Sequence, residues 1–191
     1  KHGILGFIEP LADNSGIRPV TSTSRKVKAI WNILHSQGKK SNVVGWWPSN
    51  PAEPINGVMV SNLYQLANKP FGEKWELPDG TIHPKSMEET LKEFRVHPQE
   101  LTGNHLMPFL PNLKNMDLKK DKRVASVAKT LANAASIHAA STYLQRETDW
   151  DFMAVYHDAI DHFCHLAMKF HPPQRPGISD EIFNNYKNVV E

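Results

Sequence analysis

Residues 154–165 read AVYHDAIDHFCH, so two aspartates and three histidines crowd positions 157–165 beside an apolar run. Solvated faces favour Lys and Glu over this mixture. Either a metal ion is held here, or several imidazoles are buried with hydrogen-bond partners. Asp161 and His165 are four residues apart, which puts them on one face of a helix. A carboxylate oxygen and an imidazole nitrogen so placed can hold one divalent metal, with further ligands from elsewhere in the fold. The alternative is a hydrogen-bonded Asp–His pair with no metal, and spacing alone leaves both open. His162 is turned from Asp161 and His165 by roughly a third of a turn, and serves either substrate contact or a structural hydrogen bond. Cys164 has no basic neighbour in sequence and reads as a small buried hydrophobe.

The flanking pattern supplies the elements that would position these groups. FMAVY (152–156) reads as a strand, and a helix beginning near Ala159 carries the cluster to a stop before His171-Pro172-Pro173. Upstream, SRKVKAIWNILHSQG places Val27, Ile30, Trp31 and Leu34 on one helical face, with Ser24 as N-cap and Gly38 as the C′ residue. The β-branched and aromatic run SNVVGWW then reads as a buried strand, and VMVSN as another. Residues 66–86 read as loop or hairpin, Lys85–Phe94 as a helix capped by Ser86, and DKRVASVAKTLANAASIHAASTYLQRE as the longest helix. A last helix starts at Ser179. The order predicts an α/β domain: core over 1–60, a mostly helical cap insertion over 61–148, and the core strand with the Asp/His helix over 149–191. Ligands of open α/β sheets bind at the carboxyl ends of the strands. Trp47, Asn50 and Glu53, which follow a strand end, are therefore candidates to line a substrate pocket, while Trp46 reads as core.

Composition bounds the function. With 191 residues, 40% hydrophobic, 22% charged and a net charge of +2, the chain is ordinary globular material with no basic footprint for nucleic acid. No apolar run is long enough to span a bilayer. Cys164 is the single cysteine, so no internal disulfide framework exists. His105 and His138 are expected at the surface. Lys39–Lys40 and the basic run 119–123 are expected to be solvated helix ends. HGILGF at the start and YKNVVE at the end look like interrupted elements, which predicts a fragment of a longer protein.

YHDAIDHFCH resembles the Tyr-x-x-x-Pro-Asp-x-x-Gly-His segment of the type I phosphodiesterase/nucleotide pyrophosphatase family, a branch of the alkaline phosphatase superfamily. Tyr156, Asp161 and His165 fall on the matching positions, with Ile160 in place of Pro and Cys164 in place of Gly. GWWPSNPAEPINGVMVSNLY (45–64) is similar to the family's Trp-Pro-Gly-Ser…Ile-Asn-Gly segment, and HGI (2–4) resembles its His-Gly-Ile. More closely, the chain is similar to alkaline-phosphatase-like bacterial proteins with VVGWW…PAEP and YxDAIDHxxH segments.

The resemblance implies an alkaline-phosphatase-like α/β core with a mostly parallel sheet flanked by helices. It implies a metal-dependent hydrolase of phosphoric esters that uses two divalent metal ions, zinc or alternatively manganese, and a covalent phosphoryl intermediate on a Thr or Ser. Asp161 and His165 match two ligands of one metal. The nucleophile lies before Lys1 in the family pattern and the other ligands lie beyond Glu191, so the chain alone is expected to be inactive. Tyr156 and Asp158 would stand behind the ligands, with Asp158 orienting a histidine or serving as a helix N-terminal acid. The partner would be a small phosphorylated substrate. Two rival readings remain at this point. One is a non-catalytic or truncated relative that acts as a binding module. The other is an HD-type metal phosphohydrolase, which requires His157 and Asp158 on a helix.

Overall fold

A computed structural model of the chain describes residues 2–190. Two compact units emerge, each assembled from three stretches of chain. The first comprises residues 1–66, 76–94 and 137–156, and the second residues 67–75, 95–136 and 157–191.

The first unit opens with an antiparallel hairpin, β1 (Ile8–Pro10) and β2 (Ile17–Pro19), which the sequence pattern does not predict. Its main sheet contains β3 (Ser41–Val44), β4 (Gly57–Val60), β5 (Ile82–His83) and β6 (Phe152–Val155), in the order β5-β4-β3-β6. β3 runs parallel to both β4 and β6, and only the two-residue β5 is antiparallel, against β4. The α/β architecture with a mostly parallel sheet is therefore as expected. β5 falls within the 61–148 stretch, which is otherwise mostly helical.

The period-two alternation of strands decides which helix covers which face. Val43 and its register partner Met59 pack with Trp31 of α1 (Ile30–Ser36) and with Ile55. Val44, Val58 and Val60 point the other way, onto Ile137, Ala140 and Leu144. Those three belong to α4 (Lys122–Glu147), the long alanine-rich helix expected from the sequence. Asn42 is fully buried in β3, where a lone amide would cost about 1–3 kcal/mol. Its Nδ2 instead donates to Thr148 Oγ1 at 2.8 Å, and its Oδ1 accepts the Val58 N–H at 3.1 Å. β4 begins at Gly57 with φ +108°, and a Cβ there would stand 2.2 Å from the Ser41 carbonyl oxygen.

α1 is shorter than its apolar pattern suggests. Ser22–Ser24 form a separate 3₁₀ turn, and α1 starts at Ile30 because Asn32 Oδ1 accepts the Ala29 N–H at 2.8 Å. Val27 and Ile30 consequently stay exposed while Trp31 is buried. The C-terminal end is as expected: Gly38 donates to the His35 carbonyl and Lys39 to the Leu34 carbonyl, a Schellman closure.

The second unit is helical. It holds α3 (Gly103–Leu106), the first half of α4, α5 (Ala159–Ala167) and α6 (Asp180–Tyr186). Leu106, Leu110, Val124, Val127, Phe170 and Tyr186 form its core. Ser179 caps α6 as expected, its hydroxyl accepting the Ile182 N–H at 3.4 Å. The expected helix over Lys85–Phe94 splits into a 3₁₀ turn preceded by Pro84 and the short α2 (Glu88–Lys92), so Ser86 does not cap it.

Candidate active site

Two neighbouring strands end side by side in the first unit. After Val44 the chain turns at Gly45, whose φ of +70° suits glycine, and a Cβ there would meet Ile137 Cδ1 at 2.8 Å and the Tyr156 carbonyl at 3.0 Å. The turn delivers Trp46 and Trp47. Beside it Tyr156 extends β6, donating its N–H to the Val44 carbonyl at 2.9 Å. Trp46 is not core: it is 38% exposed, with its ring 5.7 Å from Tyr156 and 6.1 Å from Trp31. At the end of its strand the large flat side chain lies across these two rings. Trp47 lies half-buried with its ring 5.0 Å from Phe7. Trp31, Trp46, Trp47, Ile30 and Arg25 line a cavity of about 380 Å³ at this carboxyl edge.

The loop after Trp47 is held by its own polar groups. Asn62 Oδ1 accepts the backbone N–H groups of Ser49 and Asn50 at 2.9 and 3.1 Å, and Asn50 Oδ1 accepts the Ser61 hydroxyl at 3.2 Å. Glu53 is fully committed. Its carboxylate accepts both oxygens' bonds from Arg25 Nη2 at 2.7 and 2.8 Å, and a further bond from Trp31 Nε1 at 2.8 Å. Glu53 thus fixes the floor of the tryptophan cavity rather than presenting a free carboxylate. Arg25, Trp31 and Asn62 are the functional neighbours that sequence reasoning missed. No local pattern marks them, because each acts on a partner 12 to 28 positions away.

In the second unit α5 carries the acidic and imidazole groups. Asp161 Oδ1 and His165 Nε2 are 3.5 Å apart, with side chains 68% and 80% exposed. Asp158 occupies the N-cap position without a side-chain capping bond, and its Oδ2 lies 3.4 Å from His162 Nε2. His162 therefore pairs with Asp158, while Asp161 and His165 pair with each other. Positions 158, 161, 162 and 165 follow the i, i+3, i+4, i+7 spacing and form one stripe. The opposite side is apolar: Ala159 and Ala167 are buried, and the Phe163 ring stacks on Phe109 at 5.8 Å. Cys164 is half-buried and free rather than enclosed. Because β6 ends at Val155 and α5 starts at Ala159, His157 is not helical, contrary to the need of an HD-type site.

Among the described residues, no cluster of three or more His, Cys, Asp or Glu converges as a metal cage. Each α5 pair offers one carboxylate oxygen and one imidazole nitrogen, at the separations of exposed Asp–His ion pairs. His105 and His138 are exposed, as expected. No helix among the described residues is long and apolar enough to cross a membrane.

A mostly parallel sheet flanked by helices, with aromatic residues at its carboxyl edge and an Asp/His helix following its last strand, is the arrangement of an alkaline-phosphatase-like hydrolase domain. Residues 1–189 match the model of the type I phosphodiesterase / nucleotide pyrophosphatase family, and the chain belongs to that family. The match runs through the helical stretch 61–148, where the sequence alone offers no family motif. Comparison with curated proteins and with solved structures gives no match.

Proposed function

We propose that the chain is part of a metal-dependent phosphoric ester hydrolase in which Asp161 and His165 hold one divalent metal ion. The observation that carries this reading is their 3.5 Å separation on α5, at the positions where the sequence resembles the family's Asp and His. Bound there, the cation would act as Lewis acid toward a phosphoryl oxygen and as a source of hydroxide. Asp161 contributes the negative charge that offsets the cation. His165, neutral when it binds, presents Nε2. An imidazole beside a carboxylate suits zinc, with manganese the alternative metal. Tyr156 has its backbone fixed to β3, donating its N–H to the Val44 carbonyl.

Trp47 and Asn50 would line the substrate side in the first unit, with the loop backbone held by Asn62. Glu53 supports this wall from behind through Arg25 and Trp31. The family's covalent phosphoryl intermediate would form on a Thr or Ser nucleophile.

Elemental analysis of the purified chain beside Asp161→Ala and His165→Ala tests the assignment. Zinc or manganese lost in both variants supports it, and phosphodiester and phosphomonoester assays then belong on the full-length protein. Metal retained at full occupancy in both variants would remove Asp161 and His165 from the site.

A further inference from the structure

His97 is buried in the helical unit, 8% exposed, and both of its ring nitrogens have partners. Nδ1 accepts the Gln99 N–H at 3.2 Å, which caps the 3₁₀ turn Pro98–Glu100. An acceptor at Nδ1 puts the ring proton on Nε2, and Nε2 donates it to the Lys69 carbonyl at 3.1 Å. Through that bond the ring holds the exposed segment 69–74. Phe71 and Trp75 pack on the ring with centroids at 5.3 and 5.7 Å. Together with Glu73 and Glu100 these residues line a cavity of about 490 Å³. The far end of the segment has a different anchor. The Arg95 guanidinium lies 4.0 Å from the centre of the Trp75 ring and donates to the Trp75 carbonyl.

We infer that His97 is an acid-released latch on segment 69–74. Its two bonds need the neutral ring, because Nδ1 accepts while Nε2 donates. A second proton goes on Nδ1 and meets the Gln99 N–H, donor against donor. A charged ring also loses by staying out of water between Phe71 and Trp75. As the ring moves toward solvent, Nε2 leaves the Lys69 carbonyl. The charged groups around it do not offset this. Lys69, Lys74 and Arg95 are cationic against Glu73 and Glu100, and Glu100 Oε2 is turned to the His97 backbone N–H at 3.3 Å. The latch therefore holds while His97 is neutral and opens as the pH falls through its titration. Arg95 keeps its charge throughout, so Trp75 stays fixed and becomes the hinge. Release opens the wall of the cavity that Pro70 to Lys74 form. None of this depends on the metal assignment on α5.

Nuclear magnetic resonance of the ¹⁵N-labelled chain gives the test. Imidazoles ordinarily titrate near about 6.5, so spectra are recorded from about pH 8 to about pH 5. The imidazole nitrogens of His97 should show the Nε2–H form at the alkaline end. As they titrate, order parameters over 69–74 should fall from about 0.85 to below about 0.6 with the same midpoint, while Trp75 keeps its value. The Gln99 amide should lose its protection from exchange over the same range. His97→Asn keeps an acceptor for the Gln99 N–H but cannot reach Lys69, so its segment should be loose at both ends of the range, with no pH step. A His97 that titrates while 69–74 stays ordered would overturn the latch, because the charged ring has then found another acceptor. So would a His97 that stays neutral to about pH 5, or a loosening whose midpoint differs from that of His97. The wild-type midpoints decide these outcomes even if His97→Asn fails to fold.

Discussion

The sheet unit and the helical unit treat their polar groups in opposite ways. In the sheet unit Asn42, Asn62 and Glu53 are closed into networks of bonds to backbone and side chain, leaving nothing for a ligand to claim. On α5 of the helical unit, Asp158, Asp161, His162 and His165 are solvated and touch one another only at 3.4–3.5 Å. A buried polar group without a partner costs about 1–3 kcal/mol, whereas an exposed one costs little until a ligand arrives. The first arrangement holds geometry, and the second keeps binding capacity.

Substitutions can break this contrast, and the largest effect is expected where the sheet leaves no room. Gly57→Ala would force a Cβ to 2.2 Å from the Ser41 carbonyl at positive φ. Because β3 cannot move without losing β6, the cost should exceed about 4 kcal/mol. Lost soluble yield, or a collapsed thermal transition, would show it, and a wild-type melt would contradict the register of β4 on β3. Next comes Glu53→Ala, which strands the Arg25 guanidinium and the Trp31 N–H together. Bonds to charged groups are worth about 1.5–3 kcal/mol, and the loss should fall in that range. Chemical denaturation measures it, and fluorescence should shift as the tryptophan cavity loosens.

The stripe on α5 should respond to ligand instead. Zinc at a hundred times its dissociation constant should add about 2.7 kcal/mol to wild-type stability. Asp161→Ala or His165→Ala should remove that shift while changing metal-free stability by no more than about 0.5 kcal/mol. Calorimetry with and without zinc separates the two quantities. Acidification should weaken binding, since the ligands must be deprotonated to bind metal.

The smallest effect is expected in the helical unit's own core. The Arg123 hydrogen bonds hold the Asp121 carboxyl below its usual range. Arg123 also lies 4.6 Å from the centre of the buried Tyr186 ring, and burial raises that phenol. Asp121→Asn should cost about 1–2 kcal/mol at neutral pH. A depressed carboxyl stabilises the fold above its unfolded value near about 3.9 and loses that contribution as pH falls through the folded value. The difference between wild type and variant should therefore shrink as the pH falls below about 4, as a series of urea titrations from pH 7 into acid would show.

How far these features are legible in the sequence follows the range of the interactions. The strands around Val43, Met59 and Ala154 are visible because β-branched runs between turns report burial locally. Asp161 and His165 are visible because i, i+4 spacing survives any packing of the helix. Trp46 misleads, since hydrophobicity alone cannot say that the strand has ended at Val44 and left the ring part-exposed. Val27 and Ile30 mislead for a related reason: Asn32 closes the start of α1 at Ala29 and cuts the apolar face short. β1 and β2 escape notice because Pro10 and Pro19 sit in them, which suits an edge and disguises a strand. Glu53 reads as a free acid because Arg25 and Trp31 lie more than twenty positions before it.

The strand order also sets a timetable. β3 lies between β4 and β6, yet β6 is translated roughly a hundred residues after it, about 5–20 s later at ordinary elongation rates. Throughout that interval the wholly buried Ser41–Val44 segment has one open hydrogen-bonding edge on the ribosome. An unpaired apolar edge of that kind templates aggregation. The nascent chain is thus most exposed to chaperones and to misassembly just before Phe152–Val155 appears, and elongation pauses between Val60 and Phe152 would prolong that exposure.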